Sequence, residues 1–168
     1  TSTKEIISSV LSTRFNVLKT EGNFNNEVGL PLTVLRIQED TEVAGLEMGI
    51  SDFGEMHRLS EIAQPDICVI TNIGQCHLEN LGTRDGILKA KTEIFDFMKK
   101  DGVIITNFDD ERIRNYNFKH KVKSFAINNE DAEYQVSSGG ITVHAYLDDD
   151  FNEGPNKGKI IVVDCSFT

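Results

Sequence analysis

Four groups of residues in this chain are of types and in places that could do chemistry. The first is Thr1-Ser2-Thr3-Lys4, the back half of a phosphate-binding loop of the form G-x-x-x-x-G-K-S/T. In such a loop the hydroxyl residue starts a helix and ligates Mg²⁺ beside the phosphates of a nucleotide. Ser and Thr also cap helices with no ligand nearby, so the four residues alone support either reading. The second is Glu47, inside the apolar run Val43-Ala44-Gly45-Leu46-Glu47-Met48-Gly49-Ile50. A buried carboxylate without a partner costs several kcal/mol, so Glu47 must meet an Arg or Lys, or a metal ion at an open strand end.

The third group is Lys91 with His77. Lys91 lies in the middle of the helical stripe Ile87, Leu88, Ile94, Phe95. A lysine there must snorkel out, pair with an acid or be chemically altered to lose its charge. His77 follows an apolar run after Gly74-Gln75-Cys76, a loop position where imidazole is surface polarity, a metal ligand or a general base. The fourth group is amide-rich. Thr20-Glu21-Gly22-Asn23-Phe24-Asn25-Asn26 is turn chemistry that can also hold a polar substrate, and Asn72 and Asn107 end two apolar runs where an amide could meet a base or phosphate.

The elements that must position these residues follow from hydrophobic periodicity. Strands are expected at Glu42–Ile50, Asp66–Ile73 and Gly102–Asn107, with helices from Thr1 onward, at Pro31–Gln38, at Gly54–Gln64 and at Thr83–Met98. Apolar residues at Ile6, Ile7, Val10 and Leu11 mark the buried side of the first helix. Such alternation predicts an α/β fold: a mostly parallel, P-loop-type sheet flanked by helices. Glu47, His77, Asn72 and Asn107 then fall at carboxyl strand ends, where open α/β sheets bind ligands. Past Asp110 the texture changes to short strands at Val122–Ile127, Tyr134–Ser138, Ile141–Leu147 and Lys159–Val163. Gly139-Gly140 suggests a hairpin and Asp148–Lys159 a loop, so a smaller antiparallel β portion is expected toward the C-terminus. The organisation is one domain over 1–168, with a parallel α/β core at 1–113 and a β-rich remainder at 114–168.

Composition narrows the function classes. A chain of 168 residues with 39% hydrophobic and 26% charged residues buries one sizeable core. A net charge of -10 argues against a nucleic-acid surface, which needs clustered Lys and Arg. An acidic protein still binds nucleotides through backbone amides, a helix dipole and Mg²⁺. There is no apolar run of transmembrane length. Cys68, Cys76 and Cys165 form no C-x-x-C pair or zinc spacing, consistent with reduced thiols in a cytoplasmic protein.

Together these residues resemble the central, ATP-binding domain of the Mur ligases. The motifs are Thr1-Ser2-Thr3-Lys4-Glu5, Thr20–Asn26, Gly29-Leu30-Pro31-Leu32-Thr33, Glu47-Met48-Gly49, Gly54-Glu55, Thr71-Asn72-Ile73-Gly74 with His77-Leu78-Glu79, Ala90-Lys91-Thr92-Glu93-Ile94 and Asn107-Phe108-Asp109-Asp110. They run in order through about residue 113. Within the family the chain resembles the branch that adds D-alanyl-D-alanine to a UDP-N-acetylmuramoyl-tripeptide in peptidoglycan precursor synthesis. The resemblance implies ATP and Mg²⁺ as cofactors, with Thr1, Glu47 and His77 as metal ligands and Thr1, Ser2, Asn72 and Asn107 at the nucleotide. It implies a carbamylated Lys91 acting with His77 in catalysis, and Thr20, Asn23, Asn25 and Asn26 facing the muramoyl substrate. Because the P-loop glycines and lysine and the family's flanking N- and C-terminal domains are absent, the chain by itself is expected not to catalyse ligation. Two alternatives remain at this point: a non-catalytic nucleotide-binding or scaffold domain, and a sibling ligase such as another Mur ligase or a folylpolyglutamate synthase.

Overall fold

The computed structural model describes residues 1–135 and the backbone of residues 160–164. The strands are β1 (Val17–Lys19), β2 (Val43–Met48), β3 (Ile67–Ile70), β4 (Val103–Asn107), β5 (Lys121–Ala126), β6 (Tyr134–Gln135) and β7 (Ile160–Asp164). The helices are α1 (Ser2–Leu11), α2 (Gly29–Val34), α3 (Glu55–Ala63), α4 (Leu78–Leu81), α5 (Arg84–Thr92) and α6 (Glu111–Arg114). A 3-10 turn at Glu93–Phe95 continues α5. Among the described residues the expected strands and helices are present with ends moved by a few residues, α2 starting at Gly29 rather than Pro31, while β1, α4 and α6 are too short to stand out in periodicity.

Among the described residues all strands join one sheet in the order β1-β2-β7-β3-β4-β5-β6, and every pairing is parallel. The expected antiparallel portion is therefore corrected for β5, β6 and β7. The turn of α6 and the segment after it carry the chain back before β5 begins, so β5 runs beside β4 in the same direction. The expected Gly139-Gly140 hairpin, the strand at Ile141–Leu147 and the loop at Asp148–Lys159 lie outside the described residues. β7 fills the slot between β2 and β3, pairing Ala44 with Ile160 through Met48 with Asp164 on one side and Ile67 with Ile161 through Ile70 with Asp164 on the other.

That register aligns the carboxyl ends. Met48, Asp164, Ile70, Thr106 and Ser124 form one row across five strands. Strand side chains alternate faces, which divides the core in two. Ala44, Leu46, Met48, Cys68, Ile70 and Ile104 lie in the larger apolar cluster with residues of α3 and α5. Val43, Ile67 and Val69 meet Leu11 of α1 on the opposite face.

The α1 face departs from expectation. Its buried residues are Lys4, Ser8 and Leu11, whereas Ile6 and Val10 are exposed. The reason lies in β2, whose Val43, Gly45 and Glu47 share the α1 side. Successive helical turns meet alternate strand residues: Leu11 shares a cluster with Val43, Ser8 approaches Gly45 and Lys4 reaches Glu47. A Cβ on Gly45 would come 3.1 Å from Ser8 Oγ, so helix and strand are in close contact there.

Candidate active site

Glu47 is wholly buried near the carboxyl end of β2. Three residues surround its carboxylate and a fourth holds its backbone. Thr1 Oγ1 donates to Glu47 Oε1 at 2.9 Å, and Asn25 Nδ2 donates to the same oxygen at 3.2 Å. Lys4 Nζ stands 3.6 Å from Oε2. Thr20 Oγ1 accepts the Glu47 backbone N–H at 2.9 Å. Oε2 is buried and has no hydrogen-bond partner. Thr1 is the N-cap of α1, yet its side chain makes no capping bond. Its hydroxyl is spent on Glu47 rather than on the helix amides.

Lys4 completes the arrangement from beneath. It is also wholly buried, and its ammonium donates to the Thr20 carbonyl at 2.5 Å and pairs with Glu5 Oε1 at 2.8 Å. Burying a lysine is costly unless charge and hydrogen bonds compensate it, and these three oxygens do so. Sequence reasoning missed Lys4 as a buried group. The signal was its spacing from Ser8 and Leu11, the helical stripe that is in fact buried.

Glu5 receives ion pairs from both Lys4 and Lys19. The Lys19 hydrogen bond first, and then that of Lys4, holds its carboxyl at about 2 against an ordinary 4.5. A depressed value means that the stabilisation is full above about 4.5 and is lost as pH falls toward about 2. In a Lys19→Met variant the Glu5 midpoint, read from its carboxyl carbon by NMR titration, should rise toward 4.5. An unmoved midpoint would remove Lys19 as the cause.

Asn25 links Glu47 to a cavity of about 300 Å³. The polar lining comes from Asn25, Asn26, Ser51, Cys76, His77 and Lys91. Gly49 makes the link possible, because a Cβ there would sit 3.0 Å from Asn25 Nδ2. Gly29 plays a similar part on the loop's other side, where a Cβ would meet the Phe24 backbone at 2.4 Å. Asn26 Oδ1 accepts from Val28 N at 3.1 Å and Gly29 N at 2.9 Å, fixing the start of α2. The loop is thus both turn chemistry and cavity wall.

Lys91 is only 3% exposed and lines this cavity, so it does not snorkel to bulk solvent. His77 is exposed on the same cavity, with φ 56 in the left-handed region. Asn72 lies just past β3, and Asn107 ends β4 with its Oδ1 accepting from Asp109 N at 2.9 Å. The structure therefore gathers Thr1, Glu47 and Asn25 at one point, and Asn25, Asn26, His77 and Lys91 around one cavity. It does not bring every expected substrate residue to the surface of that cavity. Thr20 is buried beneath Glu47, and Asn23 is exposed and outside the lining. Ser2 is exposed in the first turn of α1.

The donors fit Mg²⁺ of the kind that nucleotides carry. Glu47 offers a buried carboxylate oxygen that accepts no hydrogen bond and has only the Lys4 ammonium at 3.6 Å beside it, and Thr1 a hydroxyl already within reach of that carboxylate. Among the described residues, no group of three or more His, Cys, Asp or Glu could hold an ion unaided. Mg²⁺ retains waters and is commonly held by one or two carboxylates plus phosphate oxygens, so one acid and one hydroxyl suffice when phosphates complete the shell.

Comparison with known proteins gives the chain its relatives. Residues 1–153 match the Mur ligase middle domain. The UDP-N-acetylmuramoyl-tripeptide--D-alanyl-D-alanine ligase of Bacillus subtilis is 53% identical over 115 residues, 68% of this chain and 25% of that protein. Its counterpart from Escherichia coli is 32% identical over 147 residues, 86% of this chain and 32% of that protein. A crystal structure of MurF from Acinetobacter baumannii superposes with a TM-score of 0.74 at 35% identity, over 82% of this chain and 30% of that one. MurF ligase from Thermotoga maritima in complex with ADP gives 0.71 at 37% identity, over 76% of this chain and 30% of that one. The chain spans about a quarter to a third of the relatives it matches.

Proposed function

Because the chain belongs to the Mur ligase family through its middle domain, we propose that it is the nucleotide-handling domain of a longer ATP-dependent ligase. The proposed reaction joins D-alanyl-D-alanine to a UDP-N-acetylmuramoyl-tripeptide, the pair named for its relatives. One observation carries this reading: Glu47 turns one buried oxygen to the Thr1 hydroxyl and keeps the other without a hydrogen bond. The site thus has acid and hydroxyl in place for the metal of a nucleotide.

Each residue then has a role. Thr1 and Glu47 hold Mg²⁺, which when bound offsets charge on the phosphates. Ser2, Asn72 and Asn107 border the nucleotide at the carboxyl ends of the sheet. Asn23, Asn25 and Asn26 face the muramoyl substrate, and Thr20 supports them by anchoring Glu47 and Lys4. His77 is the ligand for a second Mg²⁺. Lys91 would be carbamylated: its ammonium gives up a proton, the neutral Nζ bonds to the carbon of CO₂ and a second proton leaves, so that a carbamate anion replaces the cation in the cavity. The nucleotide-linked substrate and the free Cys68 and Cys76 fit a cytoplasmic setting.

In the first step, an oxygen of the peptide's terminal carboxylate bonds to the γ-phosphorus of ATP as the bond to ADP breaks. The amine of D-alanyl-D-alanine then bonds to the acyl carbon. Phosphate leaves with that carboxylate oxygen, and the amine loses its proton. The chain's residues orient the reacting groups and stabilise charge, which are the main demands of phosphoryl transfer.

The test uses the longer polypeptide that carries this domain. With ATP, Mg²⁺ and both substrates it should release ADP and phosphate and yield a product heavier by one D-alanyl-D-alanine less water. Omitting either substrate should stop product formation. ATP binding with no ligation of this pair would sink the substrate assignment, and no nucleotide binding would sink the reading as a whole.

A further inference from the structure

Ile73 lies just beyond β3, where ladder hydrogen bonding ends, and its side chain is fully buried. Side chains from two other elements take both of its backbone polar groups. Its N–H donates to Asp110 Oδ2 at 2.8 Å. Its carbonyl accepts from Arg84 Nε at 3.1 Å and from Arg84 Nη2 at 2.6 Å. Arg84 and Asp110 stand 3.8 Å apart, and the Asp110 side chain is 8% exposed. The other Asp110 oxygen accepts from Arg112 N at 3.0 Å and Ile113 N at 3.4 Å, which caps α6.

A capping aspartate needs only one oxygen. The second oxygen, and the two-pronged grip of Arg84, serve the Ile73 backbone instead. That point joins three carriers of the candidate site. Asn72 precedes Ile73, and His77 closes the loop that follows in a backbone conformation that non-glycine residues seldom adopt unaided. Arg84 begins α5, and Lys91 lies seven residues on, two turns along the same face. Asp110 follows the turn after Asn107. A further bond from Arg112 Nε to Asp85 Oδ1 at 2.8 Å ties α6 to α5. Neither Arg84 nor Asp110 lines the cavity.

We propose that Asp110 and Arg84 are positioning residues that clamp the Ile73 backbone, so that the His77 loop, the Lys91 helix and the Asn107 turn keep one register. The consequence for catalysis rests on the ligase reading above, whereas the clamp itself does not.

Two variants of the longer polypeptide separate the clamp from simple helix capping. Asp110→Ser keeps a good N-cap for α6 but is too short to reach the Ile73 N–H. Arg84→Lys keeps the charge but loses the fork. In both, amide exchange across Ile73–His77 should rise about tenfold, the effect of one lost hydrogen bond. In Asp110→Ser, the amides of Arg114 and Asn115 should keep their protection. Ligation kcat should fall about 10- to 100-fold, as when groups that orient catalytic residues are lost, with the KM for ATP little changed. Unchanged exchange at Ile73–His77 in both variants overturns the clamp. Faster exchange with kcat intact overturns the positioning role. If the unmutated polypeptide shows no ligation, the functional reading fails, and the exchange measurement still decides the clamp.

Discussion

Glu47→Gln is expected to cut ligation by the longer polypeptide about 10²- to 10³-fold, the scale set by removing one group that stabilises a charged transition state. Glutamine keeps the shape and still accepts from Thr1 and Asn25 through its amide oxygen. It removes the negative charge and the acceptor at the Oε2 position, which accepts no hydrogen bond, so Mg²⁺-dependent ATP binding should weaken with it. Calorimetry with and without Mg²⁺ checks this. Equal binding in the variant and the parent would take Glu47 out of the metal site. Lys4→Met is the complementary change. It leaves a buried carboxylate without its lysine, and the cost should approach about 3–5 kcal/mol of stability in chemical denaturation. Combining it with Glu47→Gln should recover part of that loss, because the two residues share one charge balance.

Val162→Pro is expected to abolish cooperative unfolding. Position 162 pairs with Leu46 on one side and Cys68 on the other, at the middle of the sheet. Proline cannot donate to the ladder and is confined to edges or strand starts in native sheets. Amides of Leu46 and Val69 should lose their protection against exchange. Gln135→Pro, placed in the two-residue edge strand β6, should leave those amides protected. Persistent protection of β2 and β3 in Val162→Pro would show that β7 does not hold the centre.

Much of the site was legible because its residues broke local rules. Glu47 interrupts an apolar strand and Lys91 an apolar helical stripe, and both proved buried. The parallel sheet was legible through β4 because each strand there is separated from the next by a helix. Beyond β4, sequence could not reveal strand direction or neighbours, since short strands read alike in any pairing. Nothing local to residues 160–164 places them between β2 and β3. The α1 face was misread for a related reason. Periodicity ranks Ile6 and Val10 above Lys4 and Ser8, but Glu47 and Gly45 across the interface decide which side is buried. The double duty of Asp110 was equally hidden, because its partner at Ile73 is distant in sequence.

The position of β7 also bears on how the molecule is made. A ribosome delivers β1 through β6 before β7, so β1–β2 and β3–β6 must wait as two part-sheets with unpaired inner edges. Such edges are templates for pairing with other chains. Pairings between segments far apart in sequence also form slowly. The nascent polypeptide therefore exposes two pairing-competent edges until its central strand emerges.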